Sequence, residues 1–196
     1  MKEGINIFLA GMGGQGIAFL SRILSESLLK CGYRVFGCDT HGMSQRGGSV
    51  VSHLRIGDEV FTPIISKGKA DIILGLERLE TLRAMETMGK AGSKIIFYDA
   101  LFHPTSVRVN KAAYPELTLL NGLALKKSMM LNKVFVTELA DSRLQNTIVL
   151  GHLIASNWIP GLTIESVLQV MDEMLPEYLK VKNVEWLKKS ALMAVK

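Results

Sequence analysis

Two short stretches concentrate the groups that could do chemistry. Gly11-Met12-Gly13-Gly14-Gln15-Gly16 fits G-x-G-x-x-G through Gly11, Gly13 and Gly16. Glycines permit a tight turn and a close backbone approach, and a following helix offers free N–H groups and a positive dipole end to an anion. The same glycines would also serve a plain close contact between a strand and a helix. The second stretch, His41-Gly42-Met43-Ser44-Gln45-Arg46-Gly47-Gly48, is dense in donors. Ser44, Gln45 and Arg46 can hold a phosphate, a carboxylate or a carbonyl, with Arg46 as the fixed cation. Gly47 and Gly48 let the backbone turn sharply. A solvated turn with a surface arginine is the plainer alternative. Glu77, just after the run Ile72–Leu76, is a third candidate. Asp39 stands roughly 20 residues past Gly16, where a dinucleotide-binding protein holds the ribose hydroxyls. On these residues alone, an NAD(P)-binding oxidoreductase and a non-catalytic nucleotide-binding module both stay open.

These groups need elements to position them. Ile5–Ala10 reads as a buried strand. Ile17, Leu20, Leu24, Leu28 and Cys31 recur at helical spacing, and Gly32 stops that helix. Val35–Cys38 is a second strand, ending at Asp39. Val50, Ser52, Leu54 and Ile56 alternate with Val51, His53 and Arg55, which predicts a strand at a sheet edge or half covered. Gly57-Asp58 predicts a hairpin with the segment around Phe61. Ile72–Leu74 and Ile95–Tyr98 are further strands, with a helix opened by Glu77 between them. Val134–Val136 reads as the last strand, and residues 100–132 carry no clear pattern.

From about residue 141 the pattern is helical. Thr147–Ala155 is apolar nearly all round, so it reads as buried. Thr163 is an expected N-cap for the stripe Ile164, Val167, Leu168, Met171 and Leu175, which Pro176 closes. A last amphipathic helix is expected from about Asn183. Alternating strands and helices predict one α/β domain over 1–196: a doubly wound, mostly parallel, Rossmann-like sheet with a helical C-terminal segment. Ligands in such a sheet bind beyond the carboxyl ends of the strands, so all three candidate groups would share one rim.

Composition narrows the class. Of the 196 residues, 48% are hydrophobic and 21% charged, an ordinary globular mix. Two cysteines, Cys31 and Cys38, do not make a disulfide framework. A strand-like run follows the first residues directly, and no apolar run approaches the roughly 20 residues of a membrane span, so a soluble, cytoplasmic chain is expected. The net charge is +5, but the lysines are scattered, with a modest excess at Lys180, Lys182, Lys188, Lys189 and Lys196. No aromatic pattern accompanies them, so nucleic acid is not expected; an acidic partner or an anionic cofactor suits that surface better. His41, His53, His103 and His152 lack metal-ligand spacing. Glu77, Glu80 and Arg83 at i, i+3 intervals predict a solvated helix face, with only Glu77 reaching the rim.

The glycine loop, followed by His41-Gly42-Met43-Ser44-Gln45-Arg46-Gly47-Gly48-Ser49-Val50, resembles the gamma subunits and gamma domains of 2-oxoacid:ferredoxin oxidoreductases, nearest to the indolepyruvate branch and its beta subunits. Lys69-Ala70-Asp71, Glu77-x-x-Glu80-x-x-Arg83 and Asn146–Gly151 extend the match over most of the chain. The resemblance implies an oxidative decarboxylation. A 2-oxoacid joins thiamine diphosphate and loses CO2, electrons pass through iron–sulfur clusters to ferredoxin, and coenzyme A takes the acyl group. This chain has no four-cysteine cluster motif, and Gly57-Asp58-Glu59 is not followed by the asparagine pattern of a thiamine-diphosphate signature. The resemblance therefore implies that no cofactor is tightly bound here. A larger alpha subunit would carry the thiamine diphosphate and the clusters, and this chain would be inactive alone. Its expected role is to complete the active-site cleft and to contact coenzyme A or the diphosphate end of the thiamine cofactor. The implied contact positions are Gly11, Gly13, Gly14, Gln15, Gly16, Ser44, Gln45, Arg46, Gly47, Gly48 and Glu77; no catalytic residue is assigned.

Arg46 supplies a test. Arg46→Ala is expected to leave the melting temperature of the free subunit nearly unchanged. In the assembled enzyme it lowers 2-oxoacid- and coenzyme-A-dependent viologen reduction, or weakens assembly, about tenfold or more, the scale of one charge-assisted hydrogen bond. Arg46→Lys, which keeps the charge but loses the planar fork, restores only part of this.

Overall fold

The computed structural model describes residues 4–40, 48–101, 114–137 and 139–194. Six strands form one sheet in the order β2-β3-β1-β4-β5-β6. They are β1 (Ile5–Met12), β2 (Val35–Thr40), β3 (Ser49–Ile56), β4 (Ala70–Gly75), β5 (Gly89–Tyr98) and β6 (Met130–Val134). β1, β4, β5 and β6 run parallel, whereas β3 is antiparallel to both β1 and β2. The expected α/β sheet is therefore present, mixed on one side and parallel on the other.

Alternation within β1 sets the layers. Ile7 and Leu9 face one core, and Phe8 and Ala10 face the other. The first core is covered by α1 (Ile17–Lys30) and by three C-terminal helices, α4 (Gln145–Ser156), α5 (Ile164–Met174) and α6 (Glu177–Met193). The second lies under α2 (Arg78–Thr87) and α3 (Leu117–Lys126). Each fully buried leucine or isoleucine here contributes about 1.5–3 kcal/mol relative to exposure. Among the described residues no helix is long and apolar enough to cross a membrane.

Four expectations need correction. The hairpin between β3 and the Phe61 segment does not form, because β3 already has β1 on one edge and β2 on the other. For the same reason β3 is not an edge strand. Its polar alternation is internal: the Ser52 hydroxyl meets that of Ser21 at 2.8 Å, and His53 Nδ1 accepts the Ile65 N–H. The last strand is Met130–Val134, earlier than Val134–Val136. The last helix begins at Glu177 rather than near Asn183, because Pro176, which closes α5, also stands at the N-cap of α6. Thr163 caps α5 as expected, in a capping box with Ser166.

α4 and α6 pack closely at Gly151. A Cβ there would overlap the Ser190 hydroxyl and lie 2.9 Å from the Leu187 carbonyl oxygen. Gly151→Ala is expected to cost about 1–3 kcal/mol by overpacking, read as a lower urea midpoint with an unchanged slope.

Candidate functional site

The glycine loop leaves the end of β1 and enters α1 through Gly16, the N-cap, whose φ of 81° is left-handed. Gly14 has φ 99°, and a side chain there would meet nothing within 4 Å, so its backbone lies open. Gly16 is confined instead: a Cβ would overlap the Asn146 amide. At Gly11 a Cβ would come within 3.0 Å of both Gln15 Oε1 and Ile17 Cδ1. Gly11 and Gly16 thus serve close packing, and Gly14 offers the approachable backbone.

Gln15 turns inward and is 4% exposed. Its Oε1 accepts the Met12 N–H at 2.8 Å. Its Nε2 donates to the Leu76 carbonyl at 2.6 Å and to Gln145 Oε1 at 3.3 Å. The next residue, Asn146, directs its Nδ2 at the Gln15 carbonyl, 3.5 Å away. Gln15 is among the expected contact positions and lines the cavity below, but both of its side-chain amide protons are already donated inside the fold.

The described end of the second stretch and the turn before Glu77 both contact the glycine loop. The Gly13 N–H donates to the Gly48 carbonyl at 2.8 Å, which seats the end of the second stretch on the glycine loop. Ser44, Gln45, Arg46 and Gly47 lie outside the described residues. The Ser49 hydroxyl donates to Glu80 Oε2 at 2.6 Å, and Arg83 donates to Glu80 Oε1 at 2.6 Å. Glu77 is fully buried and caps α2, with its Oε2 accepting the Glu80 N–H at 2.8 Å. The Tyr114 hydroxyl donates to Glu77 Oε1. Glu80 is 3% exposed, so the expectation of a solvated face fails for both carboxylates. Desolvation pushes the Glu77 carboxyl above the ordinary range, opposed by the Tyr114 hydrogen bond. Glu77 therefore lies at the rim, beneath its surface.

A cavity of about 400 Å³ opens beside the glycine loop, lined by Gly14, Gly16, Phe19, Arg143, Tyr178 and Lys182 among others. Asp141 and Arg143, two residues apart on one turn of its lining, pair with Nη2 to Oδ2 at 2.8 Å, and that guanidinium holds the Asp141 carboxyl down to about 2. Below the cavity, Thr147 donates to Asn183 Oδ1 at 2.5 Å, joining α4 to α6. A second, more open cleft lies past the ends of β5 and β6. Tyr98, Lys133, Phe135 and Gln145 line it, with Arg78 clasping Asp99 through two hydrogen bonds of 2.6 and 3.0 Å. Asp39 belongs to neither cavity lining. β3 stands between β1 and β2, so β2 is displaced by two strand spacings, about 10 Å, from the glycine-loop strand.

Sequence reasoning missed Arg143, Tyr178 and Lys182 as cavity residues and Tyr114 as the cap of Glu77. Two signals were available: Lys182 within the basic excess near the C-terminus, and the polar run Gln145-Asn146-Thr147 at the head of a largely apolar helix.

Comparison with known proteins agrees with this architecture. The family described as Pyruvate ferredoxin/flavodoxin oxidoreductase matches residues 6–191. An Indolepyruvate oxidoreductase subunit IorB of Archaeoglobus fulgidus is 35% identical over 92% of this chain and 89% of its own length. That of Pyrococcus horikoshii is 42% identical over 60% of this chain, and the match spans 57% of the relative. Among solved structures, the gamma subunit of a keto/oxoacid ferredoxin oxidoreductase from Geobacter sulfurreducens covers 97% of this chain and 98% of its own, with TM-score 0.64 and 18% identity. The 2-oxoglutarate:ferredoxin oxidoreductase from Magnetococcus marinus, solved with 2-oxoglutarate, coenzyme A and succinyl-CoA bound, covers all of this chain and 32% of its own, with TM-score 0.71 and 15% identity.

The buried Glu77 gives a pH prediction. Its folded pKa is raised, so its contribution is fully present below the unfolded value of 4.5 and is lost as pH rises through the folded value. Glutamine does not titrate. The stability of Glu77→Gln relative to the parent is therefore expected to grow as pH rises from about 4 to 8, read from paired urea melts. A constant difference would contradict the burial of an ionising group there.

Proposed function

Because this chain belongs to the pyruvate ferredoxin/flavodoxin oxidoreductase family, we propose that it serves as the gamma-type subunit of an indolepyruvate-type 2-oxoacid:ferredoxin oxidoreductase. In this reading a 2-oxoacid loses CO2, its acyl group passes to coenzyme A, and the released electrons pass to ferredoxin. Thiamine diphosphate, when bound on the larger alpha subunit, supplies the chemistry that lets the carboxylate leave. Iron–sulfur clusters do not fit this chain: a cubane needs several thiolates. The only two cysteines are Cys31, at the C-cap of α1, and Cys38, in edge strand β2.

The observation that carries the proposal is the cavity beside the glycine loop. It combines an open backbone turn at Gly14, the cation Lys182, the Asp141–Arg143 ion pair and two aromatic rings. That set suits a long substrate with phosphates at one end and apolar stretches along it, as coenzyme A has. Lys182 and Arg143 would attract the phosphates, and the first N–H groups of α1 would add the positive end of its dipole. Phe19 and Tyr178 would cover apolar parts and exclude water. A dinucleotide reading gains less support, because Asp39 is carried a strand too far from the loop. The chain's own part is thus binding and orientation, while bond-breaking chemistry falls to the partner.

Mixing experiments test this. The purified chain alone is expected to contain no stoichiometric iron and to reduce no viologen with indolepyruvate and coenzyme A; activity appears on adding the alpha subunit. Turnover by the chain alone, or full turnover by the partner alone, would contradict the proposal. Lys182→Ala and Arg143→Ala are each expected to raise the KM for coenzyme A several-fold, up to about tenfold, while the KM for the 2-oxoacid stays put.

A further inference from the structure

Three chain reversals meet at one side chain. The turn from β1 into α1 supplies the Met12 N–H, the β4–α2 turn supplies the Leu76 carbonyl, and the head of α4 supplies Gln145 Oε1. All three are bound by the Gln15 amide. A primary amide offers two donors and one carbonyl acceptor, and here both N–H groups and the oxygen are engaged. Gln15 thus has no proton left for a ligand, although it lines the cavity together with Gly14 and Gly16.

We infer that Gln15 is a positioning residue: through its bond to Gln145 it sets the spacing between the glycine loop and the head of α4, and so the shape of the cavity for coenzyme A. The inference rests on the reading of that cavity as the coenzyme A site. Gly14, Gln15 and Gly16 form the loop wall, and Leu144 and Asn146 form the α4 wall beside it. The Gln15–Gln145 bond ties these walls together from behind. Gln145 lines the second cleft and is not among the residues lining the first. A change at Gln145 therefore reaches coenzyme A by moving the loop relative to the α4 wall, not by direct contact. Asn146 gives the contact its tolerance: its amide packs against Gly16, so small shifts of α4 press directly on the turn.

The test uses three variants in the assembled enzyme. Gln145→Met keeps length and removes the acceptor; Gln15→Met removes every bond; Gln15→Glu keeps size and an acceptor. Gln145→Met is expected to raise the KM for coenzyme A about fivefold, and Gln15→Met about tenfold or more, each with a much smaller change in kcat. Gln15→Glu, which sets a carboxylate against the Leu76 carbonyl and Gln145 Oε1, is expected to be at least as damaging as Gln15→Met. Adding Gln145→Met to Gln15→Met has little further effect, because the two act through one bond. An unchanged KM for coenzyme A in Gln145→Met, or losses in kcat and melting temperature that match the KM change, would overturn the inference. The cavity reading is judged separately by Lys182→Ala and Arg143→Ala. If those leave coenzyme A untouched, amide exchange on the full chain decides. Gln145→Met is then expected to speed exchange over Met12–Gly16 while the β5 amides keep their parent rates. Equal rates at the loop, or a speed-up spread evenly into β5, would refute the positioning role.

Discussion

A buried amide cannot go unsatisfied, and the sheet's working end is built around that requirement. Leaving a buried donor without a partner costs about 1–3 kcal/mol, and Gln15 carries two. Its partners are the Leu76 carbonyl and Gln145, 61 and 130 residues away. Satisfying one side chain therefore fixes where the β4–α2 turn and the head of α4 stand relative to the glycine loop. Asn146, Thr147 and Asn183 extend the same polar seam down to α6. The apolar cores supply most of the stability, but this seam decides which backbone groups face the cavity.

The opposite side of the loop obeys a similar rule with charges. Glu77 and Glu80 are buried one helical turn apart, each with two side-chain oxygens engaged. Glu77 serves the backbone of α2, and Glu80 holds Ser49 at the start of β3. The second stretch is thus anchored at its end by Gly48 on the glycine loop and by Ser49 on α2. What looked like a surface charge pattern is a clamp on the root of a neighbouring loop.

The glycine loop was legible because its requirement is local: left-handed φ at Gly14 and Gly16 needs glycine whatever the rest of the fold does. The layers were legible too, since alternation in β1 and the stripe in α5 report burial directly. Strand order was not, because periodicity says which face is buried and nothing about which strand is beside it. That is why β3 could be read as either an edge or a half-covered strand, while it sits between β1 and β2. α3 escaped notice because Leu119 and Leu125 are exposed and blur its apolar face. The cavity residues on α6 were hidden for another reason: Pro176 reads as a stop, and the helix holding Tyr178 and Lys182 starts immediately after it.

In the proposed function the chain contributes no redox centre and no bond-breaking group; it contributes a binding cavity lined by the glycine loop, the head of α4 and α6. Its basic surplus then has a use, since two of its cations border the cavity. The most direct measurement is photo-crosslinking of the assembled enzyme with a coenzyme A analogue carrying a photoreactive adenine, followed by peptide mapping. The account predicts labelling of this chain within Gly13–Phe19 or Tyr178–Asn183, blocked by excess coenzyme A. Blockable labelling confined to the partner subunit would contradict it.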